Sequence, residues 1–345
     1  MGAAAAWSLA QRGRDVVLLE RFAAGHTNGG SHGSARIFRF GYIEPDYVDL
    51  AAAALPLWRE LEAAAGVELL VTTGAVDHGG DELVAMADLL VAKGLRAEWL
   101  APDHAAERWP GMRFDGRVLL QPDGGRIDAD ATVAALHRVA ADVGADVRTG
   151  ERVRAVETIT DARVFVTTDL AEYEAGIVVV ATGAWTQELM GPAQDLGITV
   201  TQEQPAQFAP LDASADWPSF VHRGAAGQVA MYGLGTPQGA VKVGEHGSGH
   251  VVHPDRTYRS PDPAGVERLS RYVEQWLPGL DPTPTDVMSC LYDTTPAYDF
   301  IIDRAGRIVI AAGFSGHGFK FVPAIGRMVA DLADGAEQTV ARFRI

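Results

Sequence analysis

The side chains of this chain that could do chemistry gather in a few short runs. Cys290 is the single cysteine of 345 residues and stands in the run SCLY, ahead of a Gly/His-rich stretch, AAGFSGHGFKF, over 311–321 that carries Lys320. One thiol cannot form an internal disulfide, so Cys290 is either a small core residue or a reactive group. A reactive thiol works as the thiolate and needs positive charge nearby to depress its pKa. Candidate histidines and cations occur in HTNGGSHGSARIFR over 26–39, with His32, Arg36 and Arg39, and in VKVGEH over 241–246, with Lys242 and His246. His246, His250 and His253 invite a metal reading, but no cysteine or carboxylate accompanies them at ligand-like spacing, and no metal is expected there.

Charge and composition restrict the partners. Lys and Arg number 29 against 45 Asp and Glu, a formal charge of −16 with no basic block. That argues against a nucleic-acid surface or an anionic-membrane partner. Against so acidic an exterior, arginines and lysines collected around a pocket mark a site for an anionic ligand. No window approaches roughly eighteen uninterrupted apolar residues, and residues 1–20 lack the basic start and cleavage site of a signal peptide. A cytoplasmic location is expected. The length suits about two domains.

The elements that must position these groups read as α/β. Residues 3–12 are strong helix formers closed by Gly13, and 15–20 is a buried strand ending on Glu20. Helix, glycine, strand and acid form the second half of a dinucleotide-binding βαβ unit, in which Glu20 would bond ribose hydroxyls. The strand and most of the glycine fingerprint expected before it are not in the sequence, which opens Met1-Gly2. Loss of about five buried apolar side chains would remove on the order of 10 kcal/mol. A polypeptide beginning upstream is therefore expected, and intact-mass analysis of the native protein tests it. Helices are predicted over 51–65, 82–92, 131–143, 266–276 and 322–334, with strands at 145–149 and 308–312 and a hairpin at 152–159 with 163–168. Residues 176–185 read as a buried strand breaking into a small-residue turn, and 191–292 as an antiparallel sheet covering a site.

Four segments together resemble the monomeric sarcosine oxidase and N-methyltryptophan oxidase group of FAD-dependent amine oxidases, within the D-amino-acid oxidase superfamily. They are the 26–39 run with Tyr42 and Glu44; Tyr232-Gly through Lys242 to His246; SCLY over 289–292 with FIID over 300–303; and GFSGHGFK over 313–320. The ordered combination covers nearly the whole chain. It implies a Rossmann-like, glutathione-reductase-type FAD domain over 1–72, 126–190 and 293–345, and an antiparallel-sheet substrate domain over 73–125 and 191–292.

The same resemblance assigns roles. Cys290 would form a thioether to the flavin 8α-methyl group, assisted by His32 and Arg36 as a cationic pair. Arg39 and Lys320 would hold a substrate carboxylate, since two cations fix one end of an amino acid by charge-assisted hydrogen bonds. Lys242 would activate dioxygen by stabilising superoxide charge, although an outward lysine on an amphipathic strand reads the same way. His246, Tyr232 and Tyr292 would line the substrate pocket, and Gly2, Glu20, Arg21, Val153, Gly183, Gly316, Gly318 and Lys320 would contact the cofactor. Ala35, Ser31 and Phe40-Gly41 depart from the usual hydroxyl, second histidine and His-Ala of the group. The implied reaction is oxidation of a secondary amine, an N-methyl amino acid such as sarcosine, with release of hydrogen peroxide by a monomeric enzyme. A fructosyl-amine or pipecolate oxidase, an amine dehydrogenase and a flavin-binding protein without activity are the alternatives.

Overall fold

Alanines at 3–6 give the helix Gly2–Gln11 a face of small side chains, and that face decides what can pack on it. The helix Val322–Ala333 crosses it at Gly326, where a Cβ would come within 2.7 Å of Ala4 backbone. The computed structural model describes residues 1–160, 162–191, 194–224, 229–256 and 260–345. Beside these two helices lie Pro45–Ala65 and Ala129–Asp142, and together they enclose a large apolar core around Trp7, Trp58, Leu136 and Ile325.

The parallel strands pack on this helical layer in two pieces. Val17–Glu20 pairs in parallel with Asp146–Thr149, and Val178–Val180 pairs in parallel with Ile308–Ala312, which continues antiparallel to Ile301–Ala305. Gly2 lies between the pieces, since its Cβ would meet Leu18 on one side and Ala181 on the other. Val153–Thr160, Arg163–Thr168 and Glu172–Ala175 form a separate antiparallel meander.

An eight-stranded sheet forms the second layer, in the order Leu280–Val287, Ala206–Pro210, Val241–Glu245, Met231–Gly235, Ser219–His222, Ala75–His78, Val118–Gln121 and Glu98–Leu100. It is mixed rather than purely antiparallel: Ala75–His78, contributed from far upstream, runs parallel to Ser219–His222. Parallel neighbours need a long crossover, and here the sequence between His78 and Ser219 supplies it. Behind this sheet packs the helix Pro263–Trp276, whose first turn is capped by Asp262 accepting from the Ala264 and Gly265 amides. Its Leu269 and Val273 meet Phe208, Phe220, Val241 and Val243 in a second apolar core.

Two further expectations change in detail. The helix expected over 51–65 begins at Pro45, because a proline at the first helical position and Asp46 in the first turn both favour initiation there. Of the run 176–185 only Val178–Val180 pairs as strand, and Gly183–Trp185 is a tight helical turn. Among the described residues no helix is long and apolar enough to cross a membrane.

Candidate active site

Three strands deliver the reactive groups to one cavity. Arg36, at the start of the short strand Arg36–Phe38, lines the cavity, and Phe38 at its end is fully buried in the helical core. On Val241–Glu245, Val241 and Val243 enter the core behind the sheet and Lys242 faces the opposite way, only 3% exposed. The strand is interior on both faces, so Lys242 is not the solvated lysine that its amphipathic pattern would also allow. Cys290 and Tyr292 share one side of Cys290–Thr294, which pairs antiparallel with Thr199–Glu203.

The turn over 313–318 is tied to this last strand. Asp293 accepts from the Gly313 amide through Oδ2 at 2.8 Å and from the Ser315 amide through its carbonyl at 3.0 Å. Burial pushes the Asp293 carboxyl up to about 6, against the hydrogen bonds it receives. Gly316 adopts φ 75, and a Cβ there would fall 2.0 Å from the Tyr292 ring. Replacement by alanine should therefore cost about 1–2 kcal/mol for the left-handed backbone alone and roughly 1–3 more for the overlap. A thermal midpoint unchanged in G316A would contradict this account of the turn.

The cavity encloses about 460 Å³, within the range of small-molecule sites. At one end Arg39, Lys320, Tyr42, His317 and Arg223 converge. Lys320 Nζ donates to the Tyr42 hydroxyl at 2.8 Å and to the His317 carbonyl at 2.7 Å. Arg39 donates to the Gly41 carbonyl and stands 3.5 Å from Asp77, which Arg223 also approaches at 3.2 Å. Arg39 and Arg223 thus share the fully buried carboxylate of Asp77, and the partly exposed Glu82 pairs with Arg223. Burial, and then Arg39, hold the Lys320 amine well below its usual range. His246, 5.7 Å from the Tyr292 ring, is held down to about 4 by burial and then by Lys320, Arg39 and Arg223.

At the other end Lys242, Arg36, Cys290 and Tyr232 stand together. Burial, and then Arg36, bring Lys242 down to about 7, and its Nζ donates to the Ala35 carbonyl at 3.4 Å. Arg36 donates to the Gly30 and His32 carbonyls. His32 is buried just behind this wall, bonded through its ring to the Ser289 carbonyl, and burial with Arg36 and Lys242 holds it at about 4. Burial and the neighbouring positive charges thus oppose the cationic state expected of His32. Nε2 of His32 and Oγ of Ser289 are buried without hydrogen-bond partners among the described residues. In the cavity itself the small residues Gly30, Ala35, Gly183 and Ala184 stand beside Arg36, Lys242 and Cys290, which leaves room for backbone to approach a planar ring closely, so the residues present fit the expected flavin.

Gly183, Gly316 and Gly318 line the same cavity. Gly2, Glu20, Arg21 and Val153 lie outside it, around the end of Val17–Glu20. There Glu20 accepts from the Phe22 amide at 2.9 Å and its carbonyl from the Glu151 amide, two residues before Val153. Arg21 pairs with Asp255 at 2.5 Å and lies over the Trp185 ring. His250 and His253 are exposed and join no candidate metal cluster among the described residues.

Sequence reasoning missed His317, Arg223 and Asp77. His317 stood inside the quoted Gly-His-Gly turn and was legible there. Asp77 and Arg223 sit in unremarkable strand ends 146 residues apart, and no local signal marks them. The unusual Gly41 does have a reason: a Cβ there would lie 2.7 Å from both Gln121 Nε2 and Met86 Sδ.

Comparison with known proteins agrees with this geometry. The sequence pattern of the FAD dependent oxidoreductase family matches residues 1–332. The chain is 34% identical over 351 residues to the peroxisomal sarcosine oxidase of Homo sapiens, covering 96% of this chain and 89% of that protein. It is 31% identical to the monomeric sarcosine oxidase of Bacillus sp. strain NS-129, covering 96% and 90%. Among solved structures it superposes on NikD, described as an unusual amino acid oxidase essential for nikkomycin biosynthesis, with a TM-score of 0.86 and 31% identity over 99% of this chain and 94% of that one. With a cation-rich cavity fitted to a flavin on this fold, the chain belongs to the FAD dependent oxidoreductase family and is an enzyme of flavin-dependent amine oxidation.

Proposed function

We propose that the substrate is an N-methyl amino acid of the sarcosine type, that dioxygen is the electron acceptor, and that FAD is held covalently through Cys290. One observation carries the substrate class. Lys320, 6% exposed, has only neutral hydrogen-bond partners, and Arg39 and Arg223 share one buried carboxylate. A buried cation without an anion is costly, and a ligand carboxylate placed between Arg39 and Lys320 removes that cost. The printed names of the sarcosine oxidase relatives support the same class.

FAD, when bound, takes up the two electrons released from the substrate C–H bond and passes them on to dioxygen. The residues do the rest. Arg39 and Lys320 fix the carboxylate and so orient the amine end of the substrate. Their positive charge also disfavours protonation of the substrate amine, leaving its nitrogen lone pair available. No strong base is required, and His246, Tyr232 and Tyr292 line the pocket around the substrate. Lys242 supplies positive charge where dioxygen accepts its first electron. Gly2, Glu20, Arg21 and Val153 hold the nucleotide portion of the cofactor. The cofactor domain comprises 1–72, 126–190 and 293–345, the substrate domain 73–125 and 191–292, and the enzyme acts as a monomer.

A peroxide-coupled assay over sarcosine, N-methyltryptophan, proline, pipecolate and glycated amino acids tests the substrate class. Turnover confined to glycated amines or to cyclic imino acids would reject it. For the attachment, acid precipitation of the wild-type enzyme should leave the yellow colour in the pellet, while C290S releases it to the supernatant. Release of all flavin from the wild type would refute the covalent bond and leave amine oxidation standing.

A further inference from the structure

On the face of the large sheet turned away from the cavity, two histidines from the parallel pair of strands stand side by side. His78 and His222 are register partners, and their rings stack with centroids 4.1 Å apart and planes inclined by 19°. Asp115, on the exposed loop before Val118–Gln121, reaches the same point: one ligand atom from each of the three lies within 4.8 Å of the others. His78 is 1% exposed, and neither of its ring nitrogens has a hydrogen-bond partner among the described residues. A neutral imidazole carries one donor and one acceptor, and leaving either buried and unmet costs about 1–3 kcal/mol. The surroundings offer it no relief, being aromatic: Phe114 and Trp276 pack against His78 at centroid distances of 5.1 and 6.5 Å.

We infer that His78, His222 and Asp115 form a binding site for a late first-row divalent cation, with zinc as its representative. Two imidazoles and one carboxylate without a thiolate suit zinc, nickel or copper and do not suit calcium or magnesium, which take oxygen ligands. Three protein ligands leave a position for water on the exposed Asp115 side. In a tetrahedral site with bonds of roughly 2.0–2.1 Å the ligand atoms stand about 3.4 Å apart, so the ligand atoms must close by little more than about 1 Å, and one of the two stacked rings must turn about its Cβ–Cγ bond for both lone pairs to meet at the ion. Asp115 is free to make the closing movement because it lies on an exposed loop. The Tyr272 hydroxyl, 3.1 Å from His222 Nδ1, orients that ring from outside the ligand set. Burial holds both imidazoles below their usual range, in the neutral form that binds metal.

The site is separate from the cavity, although chain neighbours link them. Asp77 and Arg223, next to His78 and His222, belong to the cationic end of the cavity. A bound ion would brace the loop over 113–117 against the sheet that carries those two residues.

The test uses the flavin-loaded enzyme, stripped of adventitious metal with a chelator, desalted, and dialysed against zinc chloride. Zinc retained per chain is read by atomic absorption. About one zinc per chain is expected for the wild type. H222Q and D115N should bind at least roughly 10–100-fold more weakly, the loss that even outer-shell substitutions cause. D115N alters an exposed side chain, so its flavin spectrum and turnover should match the wild type and show that folding is intact. No zinc retained by the wild type would overturn the inference, as would D115N and H222Q retaining as much zinc as the wild type.

Discussion

Lys242→Met should slow reoxidation of the reduced enzyme by dioxygen roughly 10²–10³-fold, the usual consequence of removing one preorganised electrostatic stabiliser. Reduction by substrate should change little, because Lys242 stands with Arg36 and Cys290 and not with Arg39 and Lys320. Stopped-flow mixing of each half-reaction separates the two rates, and equal losses in both would refute the assignment. The pH dependence follows from the sign of the shift. Burial and Arg36 bring the ammonium down to about 7, so the charged form that assists oxygen predominates below that value. The oxidative rate of the wild type should therefore fall as pH rises through about 7, and K242M should lose that dependence.

Arg39→Ala removes one of the two cations proposed to grip the substrate carboxylate. Charge-assisted hydrogen bonds contribute about 1.5–3 kcal/mol, which corresponds to a loss of roughly 10–150-fold in kcat/KM. Asp77 keeps Arg223 at 3.2 Å in the variant, so the fold should not suffer from an unpaired buried carboxylate. Lys320→Met should act through the same term, and because both residues touch one group, the double variant should lose less than the product of the single losses. A secondary amine without a carboxylate provides the control. Wild type and R39A should turn it over at similar rates; a matching drop with that substrate would mean that Arg39 supports the cavity and does not bind the carboxylate.

Much of the fold was legible because its signals are local. Alanine runs, glycine stops and the alternation around Lys242 depend on residues a few positions apart, and most of the helices and strands they imply formed near their expected ends, the early start at Pro45 and the short strand Val178–Val180 being the departures. The mixed sheet was not legible, since the partner of Ser219–His222 comes from Ala75–His78 and no local pattern specifies so distant a pairing. For the candidate site, residue types and order sufficed to nominate Cys290, Arg36, Arg39, Lys242 and Lys320. Their electrostatic surroundings did not follow from type: His32 was expected as a cation, and burial and two neighbouring positive charges oppose that state through space.

The sequence by itself determined which reactive groups exist, which glycines permit tight turns, and which strands alternate so as to aim a side chain inward. Only the tertiary structure decided that Lys320 is buried with neutral partners, that two arginines share Asp77, and that His78 meets His222 and Asp115. The reason is one of range. Backbone preference and side-chain periodicity are settled between near neighbours in the chain, whereas desolvation, charge pairing and ligand convergence depend on whatever distant segments the fold brings within a few ångströms.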